Sequence, residues 1–571
     1  MTARVLAAGI DIDIKNEETT VSAQVLRGHP STSGDDFQLN VTTLFRHTVR
    51  THGEQEIVYR TADGGWDRYT FNDCMERVEA QATLLQEIGV TPGDVVGVLD
   101  WNSKRHFELY WAVPATGAAL LQMNLRLSPP DLGYVVEHSG ATVVLVDESL
   151  LSVAESIVDL APNVRKWVVM SDRSGADVDT TLPAPIYLED RLADVQPAFD
   201  WPMIDETSTY SACYTTGTTG RPKGVFYSHR SVYLHALTFA NLMGMSSSDT
   251  AMVITPMFHG LSWGLPQAAV YVGAKVVIPG RYQAADTSVL VDAMIDEKVT
   301  VANGAPAIYQ PMLDLIRGRD EKPDFSSLRM LSGATEPPLS LMRGLYEESG
   351  AEVIHGYGAT ETTALISVNR LKDSLARTLS EEEQWDLKRC QGLPLPGLDI
   401  RVVDESGNEL PHDGTSVGEI WVRGPGIATG YFGMDDAVVA GNFTDGYWRT
   451  GDIGKMLPNG YLKLTDRLKD VIKSGGEWIS SIDMENAITA HPDVVEAAVV
   501  AVDDPKWQER PAALVVLRPG SLATPDDLLE ELRGKFAEWQ FPDAIHFVAS
   551  LPRTSVGKLD KKRIRAQFGS D

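Results

Sequence analysis

Apolar residues follow two spacings along this chain, one typical of helices and one typical of strands. Helical spacing runs through Phe71–Ile88 and Phe107–Leu121, whereas short apolar runs typical of buried strands occupy Asp94–Leu99 and Ala141–Val146. The alternation repeats further along, where a strand leads into a helix that ends at Met243. Repeated strand–helix units predict mostly parallel sheets covered by helices, which is an α/β fold.

The texture of the chain changes toward its C-terminal end. Short alternating strands separated by Gly, Pro and Asp, such as Ile400–Val403 and Gly418–Arg423, predict a more antiparallel subdomain. Past Asp466, a helical run at Asp483–Ala490 and a strand at Ala497–Val502 predict a compact α+β unit.

The chain of 571 residues exceeds what one hydrophobic core usually covers. We predict a polar N-terminal arm over residues 1–40 and a large domain over residues 41–466, built from several subdomains with mostly parallel sheets. A small, mobile α+β lid domain is expected over residues 467–571.

Composition and charge exclude several classes of function. A net charge of −29 argues against nucleic-acid binding. Cys74, Cys213 and Cys390 are too few and too scattered for a disulfide framework or a metal site. An aspartate interrupts the N-terminal segment before a signal-peptide core forms, and no apolar run reaches the length of a membrane span. We therefore expect a cytoplasmic protein without an integral membrane segment.

A loop rich in glycine and threonine, Thr215–Gly224, is the most informative segment. Glycines allow a tight bend that presents backbone N–H groups to phosphate, and hydroxyls add donors or a ligand for Mg²⁺. The loop is not the nucleotide-binding P-loop, because Gly224 and not Ser or Thr follows its lysine. A plain turn between strands is the alternative. The candidate phosphate ligands are Thr215, Thr216, Gly217, Thr218, Thr219, Gly220 and Lys223.

Five further motifs follow in order, and together with the loop they resemble the acyl-adenylate-forming (AMP-binding) superfamily. They are Met257–His259, Gly356–Thr362, Tyr447–Asp452, Asp466–Asp470 and Pro552–Lys558. The segments Pro256–Trp263, Leu379–Glu383, Ile472–Ser481 and Lys506–Pro511 are most similar to bacterial medium- and long-chain fatty acyl-CoA synthetases and methylthiopropionate-CoA ligases. The resemblance covers nearly everything after residue 40.

This resemblance implies a reaction in two steps and a set of site residues. A carboxylate attacks the α-phosphate of ATP to give acyl-AMP and pyrophosphate, and the thiol of CoA then displaces AMP. Glu361 and Thr215 are implied as Mg²⁺ ligands, and Lys558 as the charge beside the reacting carboxylate and α-phosphate. The implied catalytic residues are Lys558, His259 and Glu361, and the implied nucleotide ligands outside the loop are Gly333, Gly356, Tyr357, Thr360, Asp452 and Arg467.

Two of these assignments have structural alternatives. A carboxylate that ends a tight turn, as Asp452 does, suits a ribose diol but can also cap the turn. Glu361 could be a solvated surface carboxylate, although glycines and threonines flank it on both sides.

The resemblance also implies where the acid binds. His259 and Trp263 lie four residues apart, on one face if that segment is helical, with the histidine near the phosphates and the tryptophan gating an acyl tunnel. Core packing is the alternative for this pair. Gly260 and Ala359 replace larger residues of similar proteins, so a wider acyl pocket is expected, and the polar pair Thr335–Glu336 leaves the polarity of the acid open.

A rotating second domain is implied because Lys558 and CoA need the same carbonyl group in turn. Lys469 is the expected hinge. After rotation, the strand that carries Lys473, Gly475, Gly476 and Trp478 would line the pantetheine tunnel. A bulged strand with a core tryptophan is the structural alternative.

We therefore predict a Mg²⁺- and ATP-dependent acid–CoA ligase that acts on a medium- or long-chain fatty acid, and by resemblance a homodimer. A methylthiopropionate- or aryl-acid-CoA ligase and an enzyme that loads a carrier protein are alternatives. A noncatalytic acyl-nucleotide sensor and a luciferase-like oxygenase share the motifs and also stay open.

Overall fold

The structure is a computed structural model that describes residues 26, 28–34, 36–215, 221–283, 286–434, 436–475, 477–553 and 559–568. The α-helices are α1 Val41–His52, α2 Phe71–Glu87, α3 Lys104–Ala115, α4 Pro129–Ser139, α5 Leu151–Glu155, α6 Leu188–Leu192, α7 His229–Met243, α8 Leu265–Val272, α9 Ser288–Asp296, α10 Pro306–Gly318, α11 Leu339–Ser349, α12 Asp373–Ala376, α13 Glu381–Arg389, α14 Asp436–Asn442, α15 Ser481–Thr489, α16 Pro525–Glu530 and α17 Lys561–Phe568. Short 3-10 turns occupy Glu148–Leu150, Val158–Leu160, Gly175–Asp177, Gly260–Gly264, Thr360–Thr362 and Glu538–Gln540.

The strands form four sheets within this part of the chain. They are β1 Glu56–Arg60, β2 Trp66–Thr70, β3 Val95–Leu99, β4 Ala119–Gln122, β5 Ala141–Asp147, β6 Lys166–Met170, β7 Ile186–Tyr187, β8 Thr209–Tyr214, β9 Gly224–Ser228, β10 Thr250–Val253, β11 Lys275–Ile278, β12 Val301–Gly304, β13 Arg329–Ser332, β14 Glu352–Tyr357, β15 Ser367–Val368, β16 Leu393–Pro394, β17 Asp399–Val403, β18 Gly418–Arg423, β19 Phe443–Thr444, β20 Tyr447–Met456, β21 Leu462–Arg467, β22 Ile472–Ser474, β23 Glu477–Ile479, β24 Val494–Asp504, β25 Gln508–Leu517 and β26 Ala544–Phe547.

Two large sheets carry the first four hundred residues. The order of one is β7-β6-β5-β3-β4-β8-β9, and that of the other is β16-β15-β14-β13-β12-β10-β11-β1-β2. Their central strands run parallel, and antiparallel pairs occur at the edges, as between β8 and β9. All five residues of β3 are buried, as a parallel strand covered by helices on both faces requires. The α/β prediction is confirmed.

The two remaining sheets differ from these in pattern. Strands β17, β18, β19, β20 and β21 pair antiparallel, which confirms the change of texture predicted between residues 398 and 465. The last sheet has the order β23-β22-β25-β24, with β26 parallel to β25, and packs against α15 and α16 around buried Ile472, Ile488 and Leu528. This is the smaller, β-rich C-terminal domain. Its mobility and its boundary at residue 467 remain predictions.

Local sequence signals explain where helices begin and end. Thr70 and Asp73 form a reciprocal capping box at the start of α2. The Ser228 side chain caps α7 by accepting from the Ser231 N–H, and Gly244 ends that helix in the left-handed conformation with φ of 60°. Helix α7 is therefore set directly behind β9, which places the strand that follows the Gly/Thr loop.

One predicted helix, Phe107–Leu121, is wrong at its C-terminal end. Helix α3 ends at Ala115, Gly117 adopts φ of 81°, and Leu120 and Leu121 belong to β4. A short apolar run cannot be assigned to helix or strand from its spacing alone, and here the glycine after Thr116 ends the helix.

The end of the predicted N-terminal arm lies on the large domain. The Leu39 N–H donates to a Glu206 carboxylate oxygen at 2.9 Å, and the Glu206 N–H donates to the Gln38 side chain at 3.0 Å. Asn40 then caps α1 by accepting from the Thr42 N–H. Across the described ranges, no helix combines the length and the apolar character needed to cross a membrane.

His229 is a buried imidazole that joins this arm to α7. Its Nδ1 accepts from the Val41 N–H at 3.3 Å, and burial lowers the pKa of His229 to about 4. Because this folded-state pKa lies below the usual value of about 6.5, the stabilisation from the neutral ring is complete above that value. It is lost as the pH falls toward the folded-state pKa.

We expect the thermal unfolding midpoint to fall between about pH 7 and about pH 5, and to fall less steeply in His229→Gln. The difference in unfolding free energy should approach about 1.4 kcal/mol per pH unit at most. His47→Gln, at an exposed position of α1, is the matched control and should keep the wild-type dependence. Parallel curves for wild type and His229→Gln would contradict this explanation.

Candidate active site

The Gly/Thr loop connects the antiparallel strands β8 and β9, and backbone bonds close its base. The Thr215 N–H donates to the Lys223 carbonyl oxygen at 2.9 Å, and the Lys223 N–H donates to the Thr215 hydroxyl at 3.3 Å. Thr215 and Lys223 are therefore held side by side. The other predicted loop ligands, Thr216, Gly217, Thr218, Thr219 and Gly220, lie outside the described residues.

A tyrosine that the sequence analysis missed joins the loop lysine to the predicted metal ligand. The Tyr431 hydroxyl donates to Glu361 Oε1 at 2.8 Å, and Lys223 Nζ lies 4.6 Å from the centre of the Tyr431 ring. Burial, and then the nearby Glu361 charge, raise the pKa of Tyr431, so the phenol stays a donor. Glu361 is half-buried in this cluster and is not a solvated surface carboxylate.

Thr360 is tied to the loop by a second tyrosine. The hydroxyl of Tyr227, on β9, donates to the Thr360 carbonyl oxygen at 2.7 Å. The 3-10 turn Thr360–Thr362 is closed by the Thr362 hydroxyl, which accepts from the Ala359 N–H at 3.0 Å. The strand after the loop and the turn that carries Glu361 therefore form one rigid unit, with Ala359 at its start.

The predicted ribose ligand lies beside the predicted adenine residue. The Tyr357 hydroxyl donates to Asp452 Oδ2 at 2.6 Å, and Arg467 Nε lies 3.5 Å from Asp452 Oδ1. Asp452 and Arg467 are register partners on β20 and β21, which explains their proximity. The structure brings Tyr357, Asp452 and Arg467 together as the sequence analysis expected.

Gly333 and Gly356 stand at the ends of neighbouring strands, and each leaves no room for a side chain. A Cβ at Gly333 would lie 3.0 Å from Trp263 Cη2, and a Cβ at Gly356 would lie 2.8 Å from a Leu331 methyl group. Gly333 therefore faces the predicted gate residue as well as the predicted nucleotide side.

The segment between His259 and Trp263 is not a right-handed helix, so the two side chains do not stack on one helical face. Gly260, Leu261, Ser262 and Trp263 have φ of 54°, 56°, 49° and 55°, and Gly264 follows with φ of 86°. We call Gly260–Gly264 the left-handed turn. This conformation costs roughly 1–2 kcal/mol per non-glycine residue, so tertiary contacts must hold it. His259 precedes it half-buried, and Trp263 is buried within it.

The expected hinge lies in a tight turn between the two domains. The Leu468 N–H donates to the Gly451 carbonyl oxygen at 2.8 Å, and the Asp470 N–H returns to the Arg467 carbonyl oxygen at 2.8 Å. Arg565, on α17, donates to the Lys469 carbonyl oxygen at 2.8 Å and pairs with Asp470. Lys558, the predicted catalytic lysine, lies outside the described residues.

The predicted CoA segment forms the antiparallel hairpin β22–β23. Gly475 has φ of 62° at its turn, and a Cβ there would lie 2.9 Å from Trp507 Cε3. Lys473 Nζ lies 3.8 Å from a Glu405 carboxylate oxygen. Gly476 and the side chain of Trp478 lie outside the described residues, so the contacts on the page lead to Glu405 and Trp507.

Glu336 does not lie with the acid residues, as the polarity argument assumed. Its carboxylate is buried where the two domains meet, and it accepts from Asn486 at 3.0 Å and from Gln391 at 3.1 Å. Arg389 Nε lies 3.2 Å from Glu336 and Arg389 Nη2 lies 3.6 Å from Asp483. Because Asn486 and Asp483 belong to α15, Glu336 contributes to the junction between the domains.

Comparison with known proteins identifies the family. The AMP-binding enzyme family matches residues 45–432, and the AMP-binding enzyme C-terminal domain matches residues 483–558. This chain belongs to the AMP-binding enzyme family, as the resemblance of its motifs predicted.

Relatives match the chain over nearly its whole length. A long-chain-fatty-acid–CoA ligase of Thermus thermophilus is 40% identical over 547 residues, 95% of this chain and 98% of that protein. A 3-methylmercaptopropionyl-CoA ligase of Ruegeria lacuscaerulensis is 36% identical over 532 residues, 93% and 97% of the two chains. The solved structure of the anthranilate CoA ligase AuaEII, in complex with anthranoyl-AMP, shares the fold with a TM-score of 0.82 at 24% identity, over 93% of this chain and 98% of that one.

Proposed function

We propose that this protein is an AMP-forming acid–CoA ligase that converts a medium- or long-chain fatty acid, ATP and CoA to acyl-CoA, AMP and pyrophosphate. The observation that carries the proposal is the match to acid–CoA ligases over the whole length of both chains. The contacts among Lys223, Tyr431 and Glu361, and those among Tyr357, Asp452 and Arg467, support it because they join residue types that suit phosphates and a ribose.

The first step joins two anions, so positive charge must accompany the attack. A carboxylate oxygen attacks the α-phosphorus, and the bond to the β-phosphate oxygen breaks to release pyrophosphate. Lys558 is proposed to hold its ammonium beside the carboxylate and α-phosphate, and Lys223 to contact the phosphates with the loop. Asp452 would orient the nucleotide by accepting from its ribose hydroxyls, with Arg467 beside it.

The remaining nucleotide contacts follow from the strand ends. We assign Gly333, Gly356 and Tyr357 to the adenine and Thr360 to the α-phosphate, with His259 near the phosphates. In the second step, the thiolate of CoA attacks the acyl carbonyl carbon, and AMP leaves with the former carboxylate oxygen. Lys473, Gly475, Gly476 and Trp478 are proposed to contact CoA after the domain rotates at Lys469.

Magnesium fits the donor set of this site. The described residues hold no cluster of three or more His, Cys, Asp or Glu suited to a metal, and Mg²⁺ is usually bound by one or two protein oxygens together with substrate phosphates. The Glu361 carboxylate and the Thr215 hydroxyl would hold it. When bound, the ion would neutralise phosphate charge.

Removing the Tyr431 hydroxyl is expected to weaken Mg·ATP binding. A hydrogen bond to a charged group contributes about 1.5–3 kcal/mol, so Tyr431→Phe should raise the dissociation constant of Mg·ATP by about 10-fold or more. Calorimetric titration of the protein with Mg·ATP measures this without turnover. Tyr271→Phe, on the exposed side of α8, is the matched control, and equal affinities for both variants would show that Tyr431 does not support Glu361.

A panel of acids tests the substrate. Release of pyrophosphate should be fastest with medium or long straight-chain acids and slower with methylthiopropionate, aryl and short acids. A preference for methylthiopropionate or an aryl acid would replace the fatty acid in this proposal, and release with no acid would overturn it. Offering CoA or a holo carrier protein to the same mixture identifies the acceptor.

We also infer a homodimer in the cytoplasm from the resemblance to fatty acyl-CoA synthetases. Sedimentation velocity of the purified chain, with a monomer mass of 62.4 kDa, should give twice that mass. A monomer over a broad range of concentrations would remove the dimer from the proposal.

A further inference from the structure

Side chains buried behind the left-handed turn hold its backbone. The Ser262 hydroxyl donates to the Thr255 carbonyl oxygen at 2.8 Å, and His235 Nε2 lies 3.0 Å from the Trp263 carbonyl oxygen. Asn303 Nδ2 donates to the Ser262 carbonyl oxygen at 2.5 Å and to Ser262 Oγ at 3.0 Å. Asn303 and Ser262 are fully buried, so water cannot replace these bonds.

Asn303 also holds the segment that leads into the turn. Its Oδ1 accepts from the Ile254 N–H at 3.2 Å and from the Thr255 N–H at 3.3 Å. One side chain on β12 therefore connects the end of β10 with the left-handed turn. Both the acceptor and the donor group of the amide are used, which an apolar residue of similar size could not reproduce.

The turn determines where the Trp263 indole lies. A Cβ at Gly333 would lie 3.0 Å from Trp263 Cη2 and 3.1 Å from Cζ3, and a Cβ at Gly260 would lie 3.7 Å from Cδ1. The indole thus spans from the left-handed turn to the end of β13. Three consecutive residues in an unfavourable conformation persist only where the surroundings impose it, and such segments concentrate at functional sites.

We propose that Asn303 is a positioning residue that sets the selectivity for the acid, because it fixes the left-handed turn and thereby the reach of the Trp263 indole toward Gly333. This inference rests on the proposed function as an acid–CoA ligase. A displacement of the indole by the size of one methylene changes the space for the acyl chain, and one methylene in an apolar pocket changes discrimination by about 10–200-fold.

Two variants test the proposal, Asn303→Ala and Ser262→Ala. In both, the ratio of kcat/KM between the longest and the shortest accepted straight-chain acid should change by about 10-fold or more. The KM for ATP should stay within about 2-fold of the wild-type value. If Asn303→Ala does not fold, Ser262→Ala decides alone, since it removes only one hydroxyl of the same network.

Asn369→Ala is the matched control. Asn369 is also buried and its Nδ2 donates to two carbonyl oxygens, those of Leu387 and Cys390, each at 2.7 Å. Its replacement removes a comparable buried amide away from the left-handed turn. The order of preference among the acids should therefore remain that of the wild type.

A double-mutant cycle separates positioning from plain stabilisation. If Asn303 acts through Trp263, the replacement Asn303→Ala should not change the acid profile further in a Trp263→Ala background. An acid profile unchanged in Asn303→Ala and Ser262→Ala, or the same shift with and without Trp263, would overturn the inference. If the wild type released no pyrophosphate with any acid, the proposed function itself would fail, which is a distinct result.

Discussion

Lys558→Ala is expected to slow the formation of acyl-AMP by about 10²–10³-fold, the effect of removing one group that stabilises developing charge. Conversion of supplied acyl-AMP and CoA to the thioester should continue near the wild-type rate, since that step needs CoA where the lysine stood. The two half-reactions are measured separately, the first by pyrophosphate exchange into ATP and the second by thioester formation.

The matched control for this variant is Lys562→Ala. Lys562 is an exposed lysine of α17, four residues along the chain, and its loss should leave both half-reactions unchanged. An equal loss of both half-reactions in Lys558→Ala would contradict the role that we propose for Lys558.

Lys469→Pro is expected to have the second largest effect and to act on the opposite half-reaction. Proline fixes φ at its own position and restricts Leu468 before it, so the turn that joins the domains could not absorb a rotation. Thioester formation from supplied acyl-AMP should fall by about 100-fold or more, while adenylation stays within about 3-fold of the wild type.

Lys469→Ala distinguishes the backbone from the side chain. It keeps the rotational freedom of the turn and the carbonyl oxygen that accepts from Arg565. If this variant loses thioester formation as Lys469→Pro does, the side chain and not the rotation is responsible. Unchanged overall turnover in Lys469→Pro would contradict the rotating domain altogether.

Much of the fold could be predicted because its signals are local. The run Ala141–Val146 is apolar and rich in β-branched residues, and it forms β5 between β3 and β6. The spacing in Phe71–Ile88 predicted α2 to within one residue. The signal failed at Leu120 and Leu121, where an apolar run fits a helix and a strand equally well.

The site could be predicted only as far as motifs carry it. Thr215, Lys223, Tyr357 and Asp452 stand in motifs, and the structure pairs them as expected. Tyr431 lies 70 residues from Glu361 in the chain, so only the fold reveals their bond. A tyrosine beside Gly430, in a glycine-rich stretch between strands, was the one available signal.

Other features depend on contacts that spacing does not encode. Leu, Ser and Trp rarely adopt positive φ, so the left-handed turn cannot be inferred from their types. It exists because Asn303, His235 and Thr255 surround it. The polar Glu336 suggested a polar acid, but its carboxylate binds Asn486 of the second domain, and a sequence does not show which domain a buried carboxylate will face.

The path of one oxygen atom tests the proposed chemistry most directly. The protein is incubated with Mg·ATP, CoA and a fatty acid that carries 18O in both carboxylate oxygens, and the products are analysed by mass spectrometry. Attack of the carboxylate on the α-phosphorus predicts AMP with one 18O, unlabelled pyrophosphate and acyl-CoA with one 18O. Label in inorganic phosphate, or formation of ADP in place of AMP, would contradict the adenylate mechanism.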